Sequence, residues 1–141
     1  MTKIYEEQRS PSAALMGSEF VSFDADKGEL TTRFTPSPSF ASPRGAVQGG
    51  LIAGFLDEVM GGALLAVTDH GEGEIRLPLN LDMNLTFVAM VPLEPITAKG
   101  RVVKHGQRVA FLEGELYDQS GKLLARATST ALPTPVPGAD E

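Results

Sequence analysis

Across its 141 residues the chain has no cysteine, no tryptophan and only two histidines, His70 and His105. Without cysteine it can form no disulfide, use no thiol nucleophile and build no thiolate metal site. The two histidines lie in separate turn-like segments without ligand spacing, so no metal site is expected. Signatures of a serine nucleophile elbow, a phosphate-binding loop or a dinucleotide fold are missing too. Basic residues are in deficit. Twelve Lys and Arg against 18 Asp and Glu give a net charge of −6, which disfavours nucleic acid as a partner. The first residues, MTKIYEEQRSPSAALMG, carry Glu6 and Glu7 and no apolar core, so no secretory signal is expected and the expected location is cytoplasmic. The longest apolar run is interrupted by Asp57 and Glu58, which argues against a membrane span.

What the chain does have is a long apolar segment, AVQGGLIAGFLDEVMGGALLAV, from Ala46 to Val67. At about 100° per residue, Leu51, Ile52, Phe55, Leu56, Val59, Met60, Ala63, Leu64 and Val67 share one broad helical face. Leu65, Gly54, Gly61 and Gly62 occupy much of the remaining circumference, so the helix is expected to be buried nearly all round. Asp57 falls about 20° outside the apolar face. A carboxylate there is retained when it is paired, hydrogen-bonded or used in chemistry.

Period-two alternation marks the strands. LNLDMNLTFVA puts Leu79, Leu81, Met83, Leu85, Phe87 and Ala89 on one expected face. Further strands are expected over 96–104, 108–118 and 122–132, joined by the turn-like KHGQ and DQSG. Upstream, EFVSFD and ELTTRFT flank the DKG turn as a hairpin. The expected class is α+β, with about six antiparallel strands curling around one central helix. The segment 1–17 has room for a short helix, 18–133 forms the domain and 134–141 is expected to be a frayed tail. One curled sheet cannot hide a helix that is apolar on most sides, so a second subunit is expected to cover the remaining seam.

Gln48, Gly49 and Gly50 stand where the helix starts, and unpaired amides and the positive end of the helix dipole meet there. The two glycines either present those amides to a substrate oxygen or let the chain turn tightly into the helix. QGG, six residues, then Asp57-Glu58 resembles the HGG-x6-D/E signature of the PaaI-like hotdog-fold acyl-CoA thioesterases, the phenylacetate-degradation type. The likeness spans roughly residues 18–133 and implies a sheet wrapped around a central helix. It also implies a homodimer or homotetramer with sites shared between subunits, and acyl-CoA as substrate, with no separate cofactor.

By position, the resemblance assigns the oxyanion-hole amide to Gly49, at the start formed with Gln48 and Gly50, and the role of nucleophile or general base to Asp57. Ser42 in SPRGAVQGG takes the place of an asparagine that helps to position the attacking water. Lys104 and Arg108, with Arg44 behind them, become candidates for the coenzyme A phosphates, although the same charges also suit a solvated turn. Glu58 points to a different side of the helix and reads as a supporting carboxylate. Gln48 replaces the family's histidine, and an amide cannot exchange a proton near neutral pH. A non-catalytic acyl-CoA or fatty-acyl binding module is therefore the alternative expectation.

Overall fold

In the computed structural model, which describes residues 10–71 and 73–137, a short helix α1 (Pro11–Leu15) precedes the hairpin β1 (Glu19–Asp24) and β2 (Glu29–Phe34). The long helix α2 (Gly49–His70) follows, and then β3 (Arg76–Phe87), β4 (Ile96–His105), β5 (Ala110–Tyr117) and β6 (Leu123–Pro135). The strands form one antiparallel sheet in the order β1-β2-β4-β5-β6-β3. With α2 against its inner face, this is the hotdog architecture expected from the sequence.

The apolar face of α2 is the reason the sheet curls. Ile52, Phe55, Leu56, Val59, Met60, Ala63 and Leu64 are buried against Leu30, Phe34, Ile96, Ala98, Leu112, Leu116 and Ala127 of the sheet. Burying each large side chain contributes about 1.5–3 kcal/mol, and Phe55 stacks on Phe34 with ring centroids 5.0 Å apart. By length and composition α2 would span a bilayer, yet this face is occupied by the sheet.

The closest approach is at Gly100 on β4, where an added Cβ would lie 2.1 Å from the Val59 carbonyl oxygen. Backbone meets backbone there, so no rotamer change relieves the clash. Gly100→Ala is expected to cost about 3 kcal/mol of stability, read as a lower urea midpoint at unchanged m-value.

Three expectations are corrected. First, α2 is not covered all round: Gly50 and Asp57 are exposed, and Ala53, Gly54, Glu58 and Gly61 are half-buried. A single sheet reaches only one side of a helix, and at Gly54 the Met16 methyl at the end of α1 supplies the cover, 3.0 Å from where a Cβ would stand.

Second, the alternation of β3 is broken. Its register with β6 shifts between Asn80 and Asp82, making Leu81 an extra, bulged residue. Met83, Leu85 and Phe87 pair with the inward Ser129, Ala127 and Ala125, whereas Leu79 and Leu81 are 58% exposed.

Third, β6 continues through Pro135, and Thr134 Oγ1 donates to the Leu77 carbonyl at 3.0 Å, so the expected frayed tail begins in ordered strand. Of that tail, residues 138–141 lie outside the described residues, as do residues 1–9 of the N-terminal segment. The part of that segment that is described contains α1, which Ser10 caps by accepting from the Ala13 amide at 3.1 Å.

Candidate active site

The loop before α2 is pinned at both sides of its tip. Ala41 and Val47 form a bridge, Val47 N donates to Val91 O and Gln48 N donates to Phe40 O, both at 2.9 Å. Between them Ser42 N donates to Ala46 O at 2.7 Å, with Gly45 at φ +80°, a conformation that favours glycine. This closure fixes where α2 starts.

Gln48 is the N-cap of α2. Its carbonyl accepts from Leu51 N and Ile52 N at 3.0 and 3.1 Å, and its side-chain Oε1 also accepts from Leu51 N at 3.1 Å. Because a backbone N–H must meet an acceptor, Oε1 is the end of the Gln48 amide turned to Leu51, and Nε2 lies beside Gly50, 3.5 Å from where a Cβ would stand. The Gly49 and Gly50 amides precede the first intrahelical bonds and have no backbone partner among the described residues. Gly50 leaves room for this cap, since a Cβ there would stand 2.9 Å from Gln48 Oε1 and displace it.

β3 runs along the uncovered flank of α2. An added Cβ on Gly61 would lie 3.3 Å from Pro78 Cγ, and one on Gly49 would lie 3.4 Å from Phe87 Cζ. Between these, Asn80 Nδ2 donates to Asp57 Oδ1 at 2.5 Å. Asp57 Oδ2 has no hydrogen-bond partner among the described residues. Gly50 and Asp57 are seven residues apart and so share one side of the helix. Phe87, more than half exposed, supplies apolar surface beside Gly49 at the amide end, and Val88 and Met90 further along the chain are exposed as well.

Not every expected site residue joins this group. Ser42 Oγ accepts from the Arg44 amide at 3.3 Å, which ties its hydroxyl into the turn. Glu58 is half-buried and already engaged. Lys104 and Arg108 are exposed at the β4–β5 turn, and Arg44 is exposed in the loop; among the described residues none of the three is ion-paired. β4 passes Val59 at Gly100, and Val102 lies beside Gly28, whose neighbour is Val67 near the far end of α2. The turn bearing Lys104 and Arg108 therefore projects toward the opposite end of the helix from Gly49 in the same chain.

The residues beside the helix that the sequence reasoning missed are Asn80, off the apolar face expected for its strand, and Phe87, placed only on that alternating face. An open hollow of about 470 Å³ lined by Asn84, Thr86, Glu113, Arg126 and Thr128 lies on the outer face, away from α2. On that face Arg101 pairs with Glu113 at 2.5 Å, and burial and the Glu115 carboxylate push the Tyr117 hydroxyl up to about 12.

A family model described as "Thioesterase superfamily" matches residues 44–125, from the loop before α2 into β6. The chain belongs to the thioesterase superfamily. Among solved structures it is similar to a provisionally named thioesterase of Ralstonia eutropha JMP134, related to phenylacetic acid degradation: 29% identity, 87% of this chain and 90% of that chain, TM-score 0.77. The likeness to PaaI-type proteins expected from the QGG-x6-DE spacing is thereby borne out. A Streptococcus pneumoniae TIGR4 hypothetical thioesterase solved with coenzyme A shares the fold at 16% identity, covering 94% of this chain and 97% of that one with TM-score 0.78. A protein of Saccharolobus solfataricus, provisionally named an esterase, is 28% identical over 102 residues, 72% of this chain and 69% of its own length. Within the matched residues of this thioesterase-superfamily member lie the glycine-opened helix start, with Gln48 before it, and Asp57.

Proposed function

We propose that the protein is a cytoplasmic acyl-CoA thioesterase that hydrolyses its substrate by water attack assisted by Asp57. The observation that carries this reading is the placing of amides without a backbone partner at Gly49 and Gly50 and an exposed carboxylate at Asp57 on one uncovered flank of α2. The thioester carbonyl oxygen accepts from the Gly49 amide, with Gln48 Nε2 and the Gly50 amide nearby. Water oxygen adds to the carbonyl carbon while Asp57 from the second subunit of the shared site receives or directs its proton, and the carbonyl electron pair moves onto the oxygen held by the amides. Collapse of that oxyanion breaks the carbon–sulfur bond, releasing the free acid and coenzyme A, whose sulfur takes the proton. Phe87, Val88 and Met90 supply apolar surface for the acyl group.

The working unit of this proposal is a homodimer or homotetramer. β3 is an edge strand whose Leu79 and Leu81 face solvent, a combination that favours pairing with a second copy. Purified protein assayed against a panel of acyl-CoA esters, with free thiol as readout, tests the reading; saturable coenzyme A binding without turnover would favour the binding module. That second reading draws on Gln48, which holds a donor and a cap but no titratable group.

In this proposal the phosphates meet Arg44 of one subunit and Lys104 and Arg108 of the other, because in one chain these groups lie at opposite ends of α2. Arg108→Ala is expected to raise KM for an acyl-CoA roughly tenfold, the scale of one charge-assisted hydrogen bond. A truncated thioester lacking the nucleotide should show no change, and equal losses on both substrates would remove Arg108 from the site.

A further inference from the structure

One buried polar group on the inner face of the sheet has nothing to bond to. Ser129 on β6 is 4% exposed, and its Oγ has no hydrogen-bond partner among the described residues. A hydroxyl left so is destabilising, and native structures retain one where a water, an ion or a ligand completes it. Ala125, Ala127, Ser129 and Ala131 are the inward positions of β6, all buried, and the first three pair with Phe87, Leu85 and Met83 of β3. The Ser129 hydroxyl is the one polar side-chain group in that row of small residues.

The three β3 side chains form an apolar lane on the flank that α2 leaves uncovered. Phe87, more than half exposed, stands at its start, 3.4 Å from where a Cβ on Gly49 would lie, and Leu85 and Met83 are half-buried. From Phe87 to Met83 is four residues, about 13 Å at the rise of a strand. An extended chain gains about 1.2 Å per bond, so roughly ten carbons lead from a carbonyl at Gly49 to the level of Ser129. Met83 neighbours Ser129 on the edge side of the sheet, and its unbranched side chain can move aside without a change in backbone.

We propose that Ser129 is a specificity-determining residue whose hydroxyl reads an oxygen carried near the far end of a medium-length acyl chain. This inference rests on the proposed thioesterase reading, which places the thioester carbonyl at Gly49. Serine suits a hydroxyl or a carbonyl there, because it donates to either and also accepts from the former. A site built to bond an oxygen discriminates against the chain without it, since that chain leaves the buried hydroxyl unpaired.

The test compares the wild type with Ser129→Ala on ω-hydroxydecanoyl-CoA, β-hydroxydecanoyl-CoA and decanoyl-CoA, with melting temperatures recorded with and without the corresponding free acids. The wild type is expected to favour the ω-hydroxy chain over decanoyl-CoA by roughly tenfold in kcat/KM, the scale of one hydrogen bond, and to treat the β-hydroxy chain like decanoyl-CoA. Ser129→Ala should bring the ratio to about one and melt no lower than the wild type, because it deletes an unpaired polar group.

Equal kcat/KM for the ω-hydroxy and plain chains, a preference that survives Ser129→Ala, or a variant that melts lower overturns the inference, while cleavage of decanoyl-CoA still upholds the thioesterase reading. If no thioester is cleaved, that reading falls and the free acids decide this one. A melting temperature raised by ω-hydroxydecanoate in the wild type and not in Ser129→Ala supports the pocket, and no shift in either protein overturns it.

Discussion

Replacing Asp57 by asparagine is expected to lower thioester turnover by at least about a hundredfold while leaving the fold intact. The magnitude is that of removing a positioned acid–base group. Asparagine keeps the size and shape of the side chain and retains an oxygen to accept from Asn80 Nδ2, but it can neither receive a proton from water nor act as a nucleophile. Because the residue is exposed in the single chain and takes no part in the core, its melting temperature should change little. Steady-state release of free thiol, measured beside a thermal melt, separates the two effects. Activity near that of the wild type would remove Asp57 from the mechanism.

The central helix was legible because its apolar face repeats with the helical period and its start is marked by a glycine pair. The strands that follow it were legible for a related reason, since turn residues bracket each alternating run. What alternation could not reveal is the bulge in β3. Leu79, Leu81, Met83, Leu85 and Phe87 read as one face, yet an edge strand tolerates exposed leucines, so a shift of face at Leu81 leaves no gap in the apolar pattern. Asn80 consequently stood off the apolar face expected for that strand.

The position of the Lys104 and Arg108 turn was hidden for a different reason. It depends on β4 lying between β2 and β5 and crossing α2 at Gly100, an order set by packing among elements far apart in sequence. Gln48 illustrates the opposite case: its place at the helix start was legible in the sequence, and its side-chain Oε1 caps that start by accepting from the Leu51 amide.

Coexpression of two inactive variants is expected to restore activity. Gly49 and Asp57 are eight residues apart in one helix, and at about 1.5 Å rise per residue they stand roughly 12 Å apart along its axis. An attacking oxygen approaches to about 3 Å of a carbon whose own oxygen is held by its donors at a similar distance. One carbonyl group therefore cannot meet both residues of the same helix. Two α2 helices set antiparallel by a two-fold axis resolve the conflict, because each Gly49 then faces the Asp57 of the second subunit.

The exposed stripe of Gly50 and Asp57, beside the half-buried Ala53, suits such an approach, since small residues let two helices come close. In a heterodimer of Asp57→Ala with Gly49→Leu, one composite site carries both lesions and the other carries neither. Each variant alone should be inactive, and heterodimers isolated with two affinity tags should recover up to about half the wild-type activity per dimer. Verified heterodimers no more active than either parent would exclude a site shared between subunits and leave coenzyme A binding without hydrolysis as the better account of this chain.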